Sequence, residues 1–237
     1  MTTERLARLP KDRLLAELSL WSADLGRLED EVARTEPYAD VYHLDVADGH
    51  FAPALLFFPD LVARLRRLTE RPFHVHLMVA DAVLLPQVEQ FAGAGADLVS
   101  VHAENRNLAE ALDLVASLSL RSGVVLRLET PVEVARPALE RVDFLTLLGT
   151  AIGVKGQGLS DEACPRLGRA RALMREVGRE GEVVLAADGG IRETTVPHLR
   201  AAGADTVVMG SLAFGAPSLA ERIAWLRTLP SSADRAA

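Results

Sequence analysis

The chain has 237 residues, of which 49% are hydrophobic and 25% charged, and its formal net charge is −7. This composition is typical of a globular protein and excludes a disordered chain, while the acidic balance argues against a binder of nucleic acid or anionic membranes. The single cysteine, Cys164, excludes an internal disulfide framework and a multi-thiolate metal site. The sequence has neither an apolar run of about 18 residues nor the apolar core of a signal peptide, so we predict a cytoplasmic protein that contacts no membrane.

Short apolar runs alternate with longer amphipathic stretches and predict β-strands separated by helices. The apolarity of each run is continuous rather than alternating, which favours strands buried on both faces of a parallel sheet. The predicted strands span residues 14–20, 41–46, 73–79, 98–102, 124–128, 144–148, 183–187 and 206–209. Apolar residues at helical spacing predict helices around 25–32 and 61–68, and over 84–94, 108–118, 132–139, 162–178, 193–202 and 218–229.

Strands and helices in alternation predict a single closed (β/α)8 barrel, a fold that typically has about 250 residues. We place this catalytic domain at residues 14–230, with an N-terminal extension over 1–13 and a C-terminal tail over 231–237. A doubly wound open sheet is the alternative architecture, because alternation alone does not establish closure.

Two short segments repeat one pattern at the ends of predicted helices. Residues 94–97 and 202–205 both read Ala-Gly-Ala-Asp, and both lead into a predicted strand. Glycine at such a position accepts the left-handed backbone conformation that a side chain resists. The copies lie close to half a chain length apart, which indicates half-barrel repetition, although two similar helix ends would look the same.

Four residues of metal-ligand type fall at the carboxyl ends of predicted strands, the end of a barrel where catalytic residues lie. His43 and Asp45 close the second strand and point to the same face, His76 closes the third strand, and Asp188 closes the seventh. Each alone is more typical of a hydrogen-bonded core residue or a turn. Together they predict a divalent metal site, for which Zn2+ is favoured and Fe2+, Mn2+ or Co2+ are alternatives.

Glycine-rich segments follow the last predicted strands and indicate a phosphate site. They are residues 153–158, Gly189-Gly190 and Gly210-Ser211. Glycines let backbone N–H groups approach an anion, and barrels commonly bind phosphate in the loops after strands seven and eight. Residues 153–158 match neither the Walker A motif nor the Rossmann fingerprint. Because the net charge repels anions, a ligand phosphate would depend on this local arrangement.

With these motifs in place, the chain resembles the ribulose-phosphate 3-epimerase family over about residues 18–215. The resemblance implies a TIM barrel of the ribulose-phosphate-binding type, a sugar-phosphate substrate and a homo-oligomer, either a dimer or a hexamer. The segments that carry it are residues 19–24 (SLWSAD), 43–51 (HLDVADGHF), 75–79 (VHLMV), 101–104 (VHAE), 123–126 (GVVL), 188–191 (DGGI), 202–205 (AGAD) and 210–211 (GS).

The resemblance also implies a reaction and the residues that perform it. The reaction is metal-dependent inversion of C3 of a ketose phosphate, either D-ribulose 5-phosphate or a close analogue, through an ene-diolate. His43, Asp45, His76 and Asp188 would bind the metal, and the two aspartates would also be the catalytic acid and base. The residues that match positions holding the sugar phosphate are Ser19, His76, Gly156, Gln157, Gly189, Gly190, Gly210 and Ser211, and Met78 matches a residue that lines the reacting end. Lys155 and Gly158 are further candidates to contact the substrate, without a matching role in the family.

The chain departs from the family around the substrate. Ala47 and Leu148 stand where methionine is usual, Arg127-Leu128 replaces Asn-Pro, and the usual Pro-Gly-Phe-Gly-Gly-Gln loop reads Ile-Gly-Val-Lys-Gly-Gln at 152–157. We expect Ala47 to enlarge the pocket. Lys155 and Arg127 are each candidates to reach a substrate anion, with a solvent-exposed or surface-paired side chain as the alternative.

These departures leave other functions open. One is epimerisation of a different ketose phosphate, such as D-allulose 6-phosphate, and another is a catalytically silent phosphosugar-binding protein on the same scaffold. A decarboxylase or aldol-type synthase of the orotidine-decarboxylase-like group would need Asp-x-Lys-x-x-Asp, and residues 45–49 have no lysine. His102 and Glu104 face the same way at the end of strand four. A structural hydrogen bond is the favoured interpretation, and assistance to the site is the alternative.

Overall fold

Parallel strands form a closed barrel in this computed structural model, which describes residues 2–230, with side chains from residue 4 onward. The strands are β1 (Leu15–Ser19), β2 (Val41–Ala47), β3 (Phe73–Met78), β4 (Leu98–His102), β5 (Arg121–Leu126), β6 (Phe144–Leu148), β7 (Val184–Asp188) and β8 (Thr206–Met209). Each strand pairs with its neighbours in chain order, and β1 pairs with β8. The predicted barrel is confirmed, and the open-sheet alternative is wrong. The predicted tail over 231–237 lies outside the described residues.

Helices lie between the strands and cover the barrel. They are α1 (Thr2–Ala7), α2 (Leu28–Thr35), α3 (Pro59–Arg66), α4 (Asp81–Gly93), α5 (Leu108–Ser117), α6 (Arg136–Leu139), α7 (Ala163–Glu176), α8 (Val196–Ala201), α9 (Ser211–Phe214) and α10 (Leu219–Arg227). The helix predicted over 132–139 is divided into a 3-10 turn (Val132–Ala135) and α6. The division lies beside Pro137, which lacks the N–H that a continuous helix would use. The short helix α9, directly after Gly210, was not predicted.

The strands separate an apolar layer from a polar interior. Alternate strand residues such as Leu18, Leu44 and Val75 point outwards and join the buried apolar cluster shared with the helices. Several of the inward positions between them carry polar groups that hydrogen-bond across strands, while others, such as Leu98 and Phe144, are apolar. The polar residues that are 0% exposed include Glu17, His43, His74, Ser100 and Thr206. Burial on both faces was predicted, but the polar character of the inner face was not.

Aspartates repeat around the amino ends of the strands, which we call the base of the barrel. Each directly precedes an even-numbered strand, and one carboxylate oxygen accepts a 2.9–3.0 Å hydrogen bond from a backbone N–H of the preceding odd-numbered strand. Each carboxylate also pairs with arginine. The pairs are Asp40 with Arg13, Asp97 with Arg5 and Arg66, Asp143 with Arg121, and Asp205 with Arg171. Because donor and acceptor belong to different strands, these contacts help to fix strand register.

The Ala-Gly-Ala-Asp repeat is part of this base pattern. Gly95 and Gly203 have φ angles of 98° and 116°, the left-handed conformation predicted for them. A Cβ atom on Gly95 would lie 2.7 Å from Cγ of Arg66, and a Cβ atom on Gly203 would lie 2.8 Å from Cγ of Arg171. Each of these arginines pairs with the aspartate two residues after the glycine. The repeat therefore reflects equivalent packing in the two halves of the barrel, and Asp40 and Asp143 extend it to every second strand.

Helix α1 packs against the base. Leu6 forms a small buried cluster with Leu98 and Phe144. Arg5 lies 3.0 Å from Asp97 in an ion pair. The predicted extension over residues 1–13 therefore contributes contacts to the barrel.

Candidate active site

The carboxyl ends of four strands bring the predicted site residues together at the end of the barrel that we call the mouth. Ser19 is the last residue of β1 and Asp188 the last of β7, while His43 and Asp45 lie on β2 and His76 lies on β3. The register pairs Asp45 with His76, so both side chains reach the same level of the interior. Closure of the sheet brings Asp188 to the same region.

The four predicted metal ligands present donor atoms to one another. Nε2 of His43 lies 3.2–4.0 Å from the other three donors, and Nδ1 of His76 lies 3.5 and 3.8 Å from the two carboxylate oxygens. Tetrahedral Zn2+ ligands about 2.0–2.1 Å from the ion lie roughly 3.4 Å apart. The donor atoms are His43 Nε2, Asp45 Oδ1, His76 Nδ1 and Asp188 Oδ2. Their spacing and their mixture of nitrogen and oxygen fit a divalent ion. We call these four residues the ligand cluster.

Hydrogen bonds on the far side of each imidazole determine which nitrogen faces the ligand cluster. Nδ1 of His43 lies 2.7 Å from a carboxylate oxygen of Glu17, so the ring donates its Nδ1 proton there. Nε2 of His76 lies 2.9 Å from Nε2 of His102, whose Nδ1 donates to Glu104 at 2.9 Å. Because His102 donates through Nδ1, its Nε2 accepts from His76. The predicted His102–Glu104 hydrogen bond is present, and it continues to the site.

The two carboxyl groups of the ligand cluster differ in proton affinity. Burial raises the pKa of Asp188 to about 6. Burial would also raise the pKa of Asp45, but His43 and His76 outweigh this effect and hold it well below its usual range. Ser19 donates a 2.7 Å hydrogen bond to Oδ2 of Asp45, which further favours the ionised form. Divergent pKa values are typical of an acid–base pair, and a bound divalent ion would lower both.

A pocket of about 310 Å³ opens above the ligand cluster. This volume is near the lower end of the range for small-molecule sites, about 300–1,000 Å³. Asp45 and Asp188 line the pocket, whereas His43 lies below it and Gly158 lies outside its lining. The predicted substrate-contact residues that line it are Ser19, His76, Met78, Lys155, Gly156, Gln157, Gly189, Gly190, Gly210 and Ser211.

Backbone forms the pocket wall beside β7 and β8. Gly189 and Gly190 follow β7, and Gly210 and Ser211 follow β8. Gly190 has a φ of 69°, and a Cβ there would lie 2.6 Å from Cα of Leu159, so a side chain does not fit. A wall of this kind allows a ligand to approach main-chain amides, which an anion site needs.

The loop between β6 and α7 contacts the segment after β1 across the mouth. Nζ of Lys155 donates a 2.5 Å hydrogen bond to the carbonyl of Trp21 and lies 4.7 Å from the centroid of its ring. Burial lowers the pKa of Lys155, although Asp45 opposes this effect. Gln157 donates 3.0 Å hydrogen bonds to the carbonyls of Ala151 and Val154, which support the loop. Lys155 is therefore held against Trp21 at the rim of the pocket.

Among the pocket-lining residues that were not predicted to contact the substrate, Trp21 brings a large aromatic ring and Arg192 a positive charge. Trp21 lines the pocket through the contact with Lys155. Arg192 also lines it and donates a 3.0 Å hydrogen bond to the carbonyl of Ile191. The sequence did contain a signal for Arg192, because a positively charged residue directly follows the Asp-Gly-Gly-Ile segment, whose glycines were predicted to bind phosphate.

The departures from the family occupy different places. Leu148 lines the pocket. Ala47 lies in a small apolar cluster with Ala52 and Met78 and is not itself among the residues that line the pocket, and the enlargement expected at Ala47 stays a prediction. The guanidinium of Arg127 lies 4.1 Å from the ring centroid of Phe51 and donates to its carbonyl, which keeps it outside the pocket lining.

Comparisons with known proteins agree with this geometry. The profile of the Ribulose-phosphate 3 epimerase family matches residues 15–214. The ribulose-phosphate 3-epimerase of Synechocystis sp. is 35% identical over 213 residues, covering 88% of this chain and 91% of that protein. The Bacillus subtilis ribulose-phosphate 3-epimerase is 33% identical, covering 88% and 96%. The chloroplastic ribulose-5-phosphate-3-epimerase of Arabidopsis thaliana is 32% identical, covering 93% and 79%.

Solved structures with lower identity share the fold. A 3-hexulose-6-phosphate synthase has a TM-score of 0.67 at 16% identity, covering 92% of this chain and 100% of that chain. An orotidine 5'-phosphate decarboxylase from Pyrococcus horikoshii has a TM-score of 0.62 at 18% identity, covering 90% and 97%. Among residues 2–230, no helix has the length and apolarity needed to cross a membrane.

Proposed function

The chain belongs to the ribulose-phosphate 3-epimerase family, and from this premise we propose that it is an isomerase that inverts C3 of D-ribulose 5-phosphate to give D-xylulose 5-phosphate. The observation that carries the proposal is the convergence of two carboxyl groups and two imidazoles at the mouth of the barrel. Asp45 and Asp188 also line the pocket above them, so both are accessible to a bound sugar phosphate.

Proton transfer is assigned to the two aspartates. Inversion next to a carbonyl requires that a proton leaves one face of C3 and that another arrives on the opposite face. The ionised aspartate removes the first proton and the protonated aspartate delivers the second. Ser19 supports this division of roles because its hydroxyl orients Asp45 through Oδ2. In the reverse reaction the base and the acid exchange roles.

The ligand cluster is the proposed site of a divalent ion. Zn2+ is the first choice, with Fe2+, Mn2+ or Co2+ as alternatives. When bound, the ion supplies Lewis-acid stabilisation of negative charge on the substrate oxygens. The ionised aspartate offsets part of the charge of such an ion, while the two imidazoles contribute neutral donors.

Substrate orientation is assigned to the wall of the pocket. The backbone beside Gly189, Gly190 and Gly210 would hold the phosphate, and Ser211 adds a hydroxyl. Lys155 and Arg192 place positive charge beside the pocket, in a chain whose net charge is −7. Phosphate binding at a distance from C3 holds the reacting carbon between the two aspartates.

Solvent-deuterium incorporation tests the proposed reaction. The protein, loaded in turn with Zn2+, Fe2+, Mn2+ or Co2+, is incubated with D-ribulose 5-phosphate in D2O, and deuterium at C3 is measured by NMR together with formation of the xylulose epimer. We expect both signals with at least one metal. D-allulose 6-phosphate is the comparator, and a higher kcat/KM for this sugar would move the substrate assignment to the hexulose.

Two results would contradict the proposal. Absence of C3 exchange with every metal and both sugars would favour a catalytically silent phosphosugar-binding protein. Exchange that persists unchanged in Asp45→Asn and Asp188→Asn would remove both aspartates from the mechanism. Metal analysis of each purified variant shows whether a loss of exchange is caused by loss of the ion or by loss of proton transfer.

The family membership also leads us to propose that the chain forms a homo-oligomer, either a dimer or a hexamer. Sedimentation equilibrium of the purified chain is the direct measurement. A monomer at micromolar concentrations would contradict this part of the proposal.

A further inference from the structure

A further carboxylate lies deeper in the barrel than the ligand cluster. Glu17 on β1 is 0% exposed, as are the neighbouring His43, His74 and Ser100. Its Oε1 atom lies 2.7 Å from Nδ1 of His43 and 2.5 Å from Nδ1 of His74, and its Oε2 atom lies 3.3 Å from Oγ1 of Thr206. A buried carboxylate is costly unless such contacts compensate it, and the proton-transfer steps above do not use Glu17.

The spacing around Glu17 indicates hydrogen bonds rather than a second metal site. Atoms that share a Zn2+ ion lie roughly 3.4 Å apart. The distances of 2.7 and 2.5 Å from Glu17 to the two imidazoles are too short for that arrangement and are hydrogen-bond distances. Glu17, His43 and His74 therefore form a closed polar network.

This network assigns a tautomer to both imidazoles. An ionised carboxylate can only accept hydrogen bonds, so Nδ1 of His43 and Nδ1 of His74 both donate to Oε1 of Glu17. Nε2 of His74, 2.6 Å from Oγ of Ser100, then accepts from that hydroxyl. The remaining nitrogen of His43, Nε2, is the atom that faces the ligand cluster.

We propose that Glu17 is a positioning residue that orients His43 and strengthens electron donation from its Nε2 atom to a divalent cation. The inference rests on the metal centre of the proposed function, and it adds a residue that determines how tightly this centre binds a divalent cation. His74, held in turn by Ser100, keeps Glu17 in place. Loss of a carboxylate behind a ligand imidazole weakens metal binding by about 10- to 100-fold in metalloproteins. Glu17 acts through His43, because it lies outside the pocket lining.

Titration of the metal-free protein with Co2+ tests this role, because tetrahedral Co2+ absorbs visible light in proportion to the bound fraction. Glu17→Gln keeps an acceptor oxygen of the same size and loses the charge, so we expect its affinity for Co2+ to fall about tenfold. Glu17→Ala loses both the charge and the hydrogen bonds, so we expect a loss of about 100-fold and a changed absorption spectrum.

Asp97→Asn is the matched control. Asp97 is also 0% exposed and fully engaged in hydrogen bonds, but it lies at the base of the barrel. We expect this variant to unfold more readily while binding Co2+ within about twofold of the unaltered chain. The same pattern in Glu17→Gln and Glu17→Ala would overturn the proposal, since it would show a purely structural role.

Nitrogen NMR of the unaltered Zn2+-loaded protein supplies a test that does not depend on a variant folding. We expect His43 to bind through Nε2 and to carry its proton on Nδ1, and a proton on Nε2 would overturn the proposal. Failure of the unaltered chain to bind either ion would refute the metal centre itself. Equal Co2+ affinity in the unaltered chain and the folded Glu17 variants would refute only the role of Glu17.

Discussion

At the base of the barrel, Asp97 accepts hydrogen bonds from Arg5, Arg66 and the backbone of Phe73, whereas at the mouth Asp188 faces a second carboxyl group and two imidazoles. The base repeats this arrangement around the barrel, with an arginine for each of the aspartates that precede the even-numbered strands. At the mouth, by contrast, the nitrogen and oxygen atoms of the ligand cluster converge on one position where a metal ion could bind. An aspartate at the base therefore stabilises strand register, whereas an aspartate at the mouth forms part of a site that can bind a cation. Barrels of this fold commonly have a stabilising end and a catalytic end.

The largest effect should come from neutralising a carboxylate at the mouth. For Asp188→Asn we expect kcat to fall about 10⁴-fold, equivalent to about 5.5 kcal/mol, because proton transfer and an ion ligand are lost together. Thermal unfolding of the metal-free variant should occur at an unchanged or higher temperature, because repulsion with Asp45 is removed. Retention of a substantial fraction of kcat, with metal content verified, would contradict the assigned role.

The opposite result is expected at the base. For Asp97→Asn we expect the free energy of unfolding to decrease by about 3–5 kcal/mol, because two arginines lose their buried partner. Urea denaturation measures this change, while kcat at saturating substrate should be unchanged. A loss of kcat without a loss of stability would show that the two ends are not separable in this way.

A histidine at the mouth, His102, should also make the free energy of unfolding depend on pH. Burial lowers the pKa of His102 to about 4, while the usual value is near 6.5. Between pH 6.5 and pH 4 the unfolded chain therefore binds a proton that the folded chain does not. This contribution to stability is fully present above pH 6.5 and is lost as the pH falls, by on the order of 3 kcal/mol in total.

The variant His102→Gln isolates that contribution in the metal-free protein. Its free energy of unfolding should decline less steeply with acid than that of the unaltered chain, as measured by urea denaturation at a series of pH values. The control substitution is His198→Gln, at an exposed position on α8. Parallel slopes for all three proteins would show that His102 titrates normally in the fold.

The smallest effect should come from the rim of the pocket. For Arg192→Gln we expect KM for the sugar phosphate to increase about tenfold, or about 1.4 kcal/mol, with kcat retained, because the cation contributes to binding rather than to proton transfer. Arg222→Gln is the control, because Arg222 pairs with Glu193 in a neighbouring surface depression. Equal KM values for the two variants would place the phosphate elsewhere.

Local sequence patterns were sufficient for the barrel and for the ligand cluster. Each strand contains an apolar run, although β5 begins at Arg121, three residues before its predicted start, and period-two alternation puts His43 and Asp45 on one face. Strand ends of a parallel barrel meet at one mouth, so residues distant in sequence, such as His76 and Asp188, could be placed together without coordinates.

Features that depend on register between strands could not be predicted in this way. Glu17 stands in an apolar run, and its contacts with His43 and His74 come from two other strands. A charged residue in a strand buried on both faces was the available signal, but its partners depend on strand register. Arg127 illustrates the same limit, because its position over Phe51 follows from the path of a separate loop.

The contact between Lys155 and Trp21 has a practical consequence. A substrate phosphate that attracts the Lys155 ammonium competes with the indole ring and with the backbone carbonyl that now hold it. The chain has two tryptophans, and Trp225 lies away from the pocket on α10. Substrate binding should therefore be visible as a change in intrinsic fluorescence from Trp21. Trp225→Phe leaves Trp21 as the single tryptophan, so that ligands can be ranked without any turnover.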